Sequence, residues 1–189
     1  MSLNLEQVKE FMQTTNVTTP VSENTAVEKK VILSGIITGQ IAGLIMAVVV
    51  MLVFMIFLGK NPLYPVQVIG SMVFGESALQ GLHIGAILAG LILHQLGPSL
   101  LWGVIFSLLA KRLSVQTSKE ALRLGLIVGV LAMAGPYVLI PFMMKTLHGV
   151  DIWNREVPMF WDWAAHIVFG ASFVLYPMIQ KELNGRLKD

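Results

Sequence analysis

His94 and His166 each stand inside a long apolar run, where an ionisable side chain is costly and calls for a partner or a function. Asp162 precedes His166 by one helical turn, so on a helix its carboxylate shares the imidazole's face and can hold the ring in one tautomer. Such a set suits a haem or metal ligand, or a proton relay. Hydrogen bonding alone also satisfies it, with Asp162, Gln95, Gln40 or a backbone carbonyl of a neighbouring helix as partner. His94 and His166 are therefore the candidate cofactor-binding residues, with Asp162 behind them. No cofactor is predicted, and haem b or a metal ion is the alternative.

Other chemistry has little to build on. His83 and His148 read as interface residues that could hold a surface metal only together with Asp151 or Glu156. The eleven methionines are scattered, as core filling requires, and do not line a copper path. Ser71, Ser77, Ser99 and Ser107 lack a nucleophile elbow, and no glycine-rich loop is followed by Gly-Lys-Ser/Thr. There is no cysteine, hence no thiolate nucleophile or thiolate metal site. No catalytic residue and no metal ligand is assigned, and the chain reads as a non-enzyme.

Lipid is the solvent that must position these groups. Of 189 residues 55% are hydrophobic and 13% charged, against roughly a quarter charged in a soluble domain. A formal charge of +2, with basic residues at the ends of apolar runs, implies no nucleic-acid partner.

The expected fold is all-α, an integral membrane four-helix bundle with an N-terminal amphipathic helix and a short interfacial or re-entrant helix after span one. Residues 1–28 form a cytoplasmic segment: Leu5, Val8, Phe11 and Met12 make the apolar side of a helix, and residues 14–25 make a linker. Residues 29–180 form the membrane domain, with spans at about 31–58, 84–110, 119–144 and 159–179, and residues 181–189 form a tail. Pro65 and Gly75 bracket the short helix; Pro98 kinks span two; Thr117 and Glu120 have capping-box spacing at the start of span three. Gly35, Gly39 and Gly43, with Gly125, Gly129 and Gly170, make smooth faces for close helix packing. Lysines and arginines crowd the two termini and the turn after Arg112, so both termini are expected in the cytoplasm and the protein in the inner membrane. Trp153, Trp161 and Trp163 then belong to the outer interface.

Residues 94–113 (HQLGPSLLWGVIFSLLAKRL), the span from Gly125 to Pro141, and residues 165–170 (AHIVFG) resemble a family of small bacterial four-span membrane proteins grouped as a domain of unknown function. The likeness covers roughly 31–177, matching at His94, Trp102, Gly103, His166 and Gly170 and departing at Gly97, Pro98 and Val174. It implies the four-helix fold and no particular activity.

Small residues on several helix faces, with few polar groups at depth, point to a non-catalytic subunit whose partners are the bilayer and other membrane proteins. It would be a structural or accessory part of a larger membrane complex, such as a respiratory or redox complex. A haem- or metal-binding electron carrier using His94 and His166 is the alternative. A small transporter, suggested by the broken spans at Gly97-Pro98 and Pro136-Pro141, is the third.

Overall fold

The computed structural model of the protein describes residues 20–185. The expected amphipathic helix around residues 5–12 and the last residues of the basic tail lie outside them.

Helix α1 runs over Pro20–Phe57, helix α2 over Tyr64–Phe74 and a 3₁₀ turn over Gly75–Leu79. Helices α3 (Ile84–His94) and α4 (Leu100–Arg112) are joined by a π-helical turn at Gln95–Ser99. Helices α5 (Ser118–Ala132) and α6 (Ile140–His148) are joined by a second π-helical turn at Gly135–Leu139. A short α7 (Ile152–Glu156) leads to α8 (Met159–Ser172), a 3₁₀ turn at Phe173–Leu175 and α9 (Tyr176–Gly185). Four helical stretches are long and apolar enough to cross a membrane: Glu28–Phe57, Ile84–Arg112, Ser118–His148 and Met159–Gly185. The chain is a multi-pass, all-α membrane bundle.

The boundaries differ from expectation where local signals were weakest. Helix α1 begins at Pro20, inside the stretch expected to be linker, because proline suits a first helical turn. Span three continues to His148, four residues past its expected end, and stops at Gly149, whose φ of +75° is the left-handed conformation that favours glycine. Span four continues to Gly185 through the turn at Phe173–Leu175. Other signals give their elements directly. Thr117 and Glu120 form a reciprocal capping box on α5, and α2 starts beside Pro65 and ends at Gly75 with φ +60°.

Glycines set the pairing of the spans. A Cβ at Gly35 or Gly39 would collide with the backbone of Gly103 or Ser99 on span two. A Cβ at Gly125 or Gly129 would collide with the carbonyls of Gly170 or His166 on span four. Spans one and two, and spans three and four, therefore approach almost backbone to backbone, with the α1 and α8 helices packed between the pairs. This close approach replaces the hydrophobic drive that lipid cannot supply. Helix α2 returns alongside α3 in the same way, Gly70 against Ala86 and Gly90 against Val66. Its buried Gln67 donates to the carbonyls of Ala78 and Gly81 at 2.7 Å each, satisfying the return loop.

Two ends can now be distinguished. The terminal face holds the start of span one, the turn at 113–117 and the end of span four; there Lys111 pairs with Glu28 at 2.8 Å. The loop face holds residues 58–83 and 149–158. Toward the terminal face the bundle is closed around Phe106, Phe169, Phe173 and Tyr176. Toward the loop face spans two and three separate, packing against each other chiefly through α4 and α5.

Candidate functional site

The separation leaves a cavity of about 630 Å³, walled by all four spans, α2 and α7. That is within the range of small-molecule sites. Its lining residues that are exposed are Leu96, Gly97, Pro98, Leu101, Ala134 and Leu139, all on spans two and three. The cavity therefore opens sideways, toward lipid, at the level of the two π-helical turns.

Those turns are built by a Gly-Pro pair on each span, Gly97-Pro98 and Gly135-Pro136. A proline inside a helix removes a backbone donor and displaces the carbonyl one turn earlier, so polar groups must be satisfied from elsewhere. At the first turn Ser99 Oγ donates to the carbonyl of His94 at 3.0 Å, and Gln40 Nε2 of span one donates to the carbonyl of Gln95 at 2.8 Å. Gln95 Nε2 returns a bond to the carbonyl of Gln40 at 3.3 Å. The break is held open by a side-chain lattice and is not a loose joint.

Both histidines line this cavity. His166 is buried, and its Nδ1 lies 2.9 Å from the carbonyl of Asp162 and 3.1 Å from the carboxylate Oδ1. Both neighbours are acceptors, so Nδ1 carries a proton, and in the neutral ring Nε2 keeps its lone pair. The other oxygen of Asp162, Oδ2, accepts from Trp153 Nε1 at 3.3 Å. His94 Nδ1 stands 3.2 Å from Gln95 Oε1, the amide oxygen that also lies 3.1 Å from Ser99 Oγ and shares that hydroxyl's one proton with the carbonyl of His94. His94 Nδ1 therefore donates as well, and its Nε2 is again the free atom. Neither Nε2 has a hydrogen-bond partner among the described residues, and both rings line the same cavity.

The residues picked out as cofactor candidates thus come together, with Asp162 beneath His166 as the turn spacing requires. Among the described residues no three histidine, cysteine or acidic side chains gather as a metal site. His83 instead caps α3, accepting from the amide of Ala86 at 3.0 Å, and His148 donates from Nε2 to the carbonyl of Met72 at 3.0 Å. Haem would have His94 and His166 as possible ligands, but its carboxylates would find no lysine or arginine, since none is among the residues that line the cavity. The glycines chosen for packing, Gly35, Gly39, Gly43, Gly125, Gly129 and Gly170, all face other spans of this chain. Gln95 and Asp162 are partners the sequence offered for the histidines; Ser99 as a support and Trp102 and Trp161 as walls were not foreseen, and the Gly-Pro pair repeated on two spans was the signal that could have found the opening.

Ion pairs on the loop face clamp the cavity's roof. Tyr64 Oη donates to Glu156 Oε2 at 2.6 Å, linking α2 to α7. Arg155 donates from Nε to Glu156 Oε1 at 2.7 Å and, through both terminal nitrogens, to Glu76 at 2.6 and 2.8 Å. Burial raises the Glu156 carboxyl, but hydrogen bonds from Tyr64 and Arg155 and the charges of Arg155 and Lys60 outweigh it and hold it below the usual range. The hydrogen bond from Arg155 does the same for Glu76. Groups with a depressed folded pKa stabilise above the unfolded value and lose that contribution as pH falls through the folded one. Acidification below about pH 4 is thus expected to loosen the α2 to α7 contact, by a small amount because these pairs face solvent. Thermal unfolding in detergent as a function of pH measures it, and Glu156→Gln should flatten the acid limb; an unchanged limb would show that the clamp carries no stability.

In comparisons with known protein families, with curated proteins and with solved structures, nothing matches the chain.

Proposed function

We propose that this protein is a non-catalytic intramembrane binding protein, which admits a lipid-soluble organic molecule between spans two and three and holds it beside His94 and His166. The observation that carries this reading is the sideways-open apolar cavity with two unpartnered imidazole nitrogens at its inner wall. Breaks in two spans at the same level support it, since interrupted helices recur where a membrane protein binds a small molecule. The accessory-subunit reading loses the support it drew from the glycine faces, because those faces are filled from within the chain. An inner-membrane location with both termini cytoplasmic rests on the excess of lysine and arginine at the terminal face.

The opening supplies its own test. A Cβ at Gly97 or Gly135 would meet nothing within 4 Å, so bulk can be added there without disturbing a seam. The neutral probe N-phenyl-1-naphthylamine, excited through the cavity tryptophans, is expected to bind the purified chain in nanodiscs saturably, near one per chain. Gly97→Leu with Gly135→Leu should weaken that binding about tenfold while helicity is retained. Unsaturable partitioning, identical in both proteins, would overturn the proposal.

A further inference from the structure

The polar inventory of the cavity selects one class of ligand. His166 Nδ1 is committed to Asp162, His94 Nδ1 to Gln95, and Ser99 Oγ to His94 and Gln95. What the imidazoles offer inward is two lone pairs. Behind them stands the carboxylate of Asp162, buried and held by Trp153 and His166, with no lysine or arginine in the cavity to balance it. The nearby cations of the loop face are engaged elsewhere: Arg155 with Glu76 and Glu156, Lys145 with Asp151 at 3.2 Å, and Lys60 over the ring of Tyr64 at 4.6 Å. Indole rings of Trp102 and Trp161 complete the wall, and aromatic faces attract cations most strongly where water is excluded. Acceptors, an acidic side chain with no lysine or arginine beside it and aromatic walls all favour a ligand that brings donors and positive charge.

We infer that the molecule held beside His94 and His166 is a lipophilic amine in its protonated form, its ammonium group donating to the two Nε2 atoms and neutralising Asp162 while its apolar body fills the cavity. This rests on the binding role proposed above and names its ligand class. A neutral lipid alcohol would leave the carboxylate unbalanced, and an anionic lipid would be repelled by it.

Three probes of one shape separate these cases: 1-naphthylmethylamine, 1-naphthalenemethanol and 1-naphthoate, titrated calorimetrically at pH 7 into the full chain in nanodiscs. The amine is expected to bind one per chain and at least about tenfold more tightly than the alcohol, with no saturable binding of the naphthoate. Asp162→Asn should remove the preference of amine over alcohol and leave alcohol binding in place. Should Asp162→Asn not fold, His94→Gln, which keeps a polar group at a half-buried position, is expected to weaken the amine several-fold and the alcohol less. Equal affinity for amine and alcohol in the unaltered chain, or tighter binding of naphthoate, would overturn the ligand class while sparing the binding role. A stoichiometric Soret band on adding hemin, lost in His94→Gln, would assign the pair to a porphyrin instead. Absence of saturable binding for all three probes and for the neutral reporter would sink both.

Discussion

Gly129→Leu is expected to prevent span four from seating on span three, and to abolish the cavity with it. A Cβ at Gly129 would collide with the carbonyl of His166 and stand 3.1 Å from the Cα of Gly170, so the obstruction is backbone, which cannot rotate away. Even alanine there should cost about 1–3 kcal/mol, the usual penalty of overpacking, and leucine more than the bundle can absorb. Because the atom struck belongs to His166 itself, displacement of the seam moves the imidazole off the Asp162 carboxylate. Probe binding should therefore fall even for Gly129→Ala, whereas Gly97→Ala, whose Cβ enters open space, should leave stability unchanged. Unfolding in mixed micelles reads both. Equal midpoints for Gly129→Ala and Gly97→Ala would mean that the seam is not set by backbone contact.

That seam was legible in the sequence because small residues at every fourth position say which face of a helix can approach another, whatever the partner. The short helix after span one was legible too, since Pro65 and Gly75 state where a helix starts and stops independently of its surroundings. Facing was not. In lipid both the interior and the exterior of a bundle accept apolar side chains, so Leu96, 65% exposed, and Phe106, fully buried, are equally plausible on either side of span two. The same ambiguity hid the cavity, whose walls come from all four spans and two short helices that no local pattern links. Asp162 beneath His166 was legible as well, because a one-turn spacing puts both side chains on one face of a helix. The open Nε2 of His94 was hidden, because it depends on Gln95 and Ser99 turning inward at a π-helical turn. Proline at 98 announces a kink, while the form of the break is decided by which neighbours can satisfy the freed carbonyls, here Gln40 from another span.

Phe106→Ala is expected to be the most damaging single truncation of the closed half of the bundle. Its ring is fully buried, stacked on Phe173 with centroids 4.2 Å apart, and meets Tyr176 edge-on at 5.1 Å. In water such a change costs about 3–5 kcal/mol, of which a large part is transfer of the side chain from solvent. For a bundle in lipid that part nearly vanishes, since the separated helices keep the ring in hydrocarbon, and lost packing remains. A residual void of about 80 Å³ at about 24 cal/mol per Å³ gives about 2 kcal/mol, to which the two aromatic contacts add about 0.5–1.5 kcal/mol each. Leu101→Ala, at a site 57% exposed to the surroundings of the bundle, should cost close to nothing. The hydroxyl of Tyr176, buried beside Phe106 with no hydrogen-bond partner among the described residues, provides the opposite sign. Tyr176→Phe removes an unsatisfied group and should raise stability by up to about 1 kcal/mol. Unfolding midpoints for Phe106→Ala and Leu101→Ala that coincide would mean the aromatic cluster does not hold the spans together; a loss of stability in Tyr176→Phe would mean its hydroxyl is bonded, through water or lipid, in the membrane.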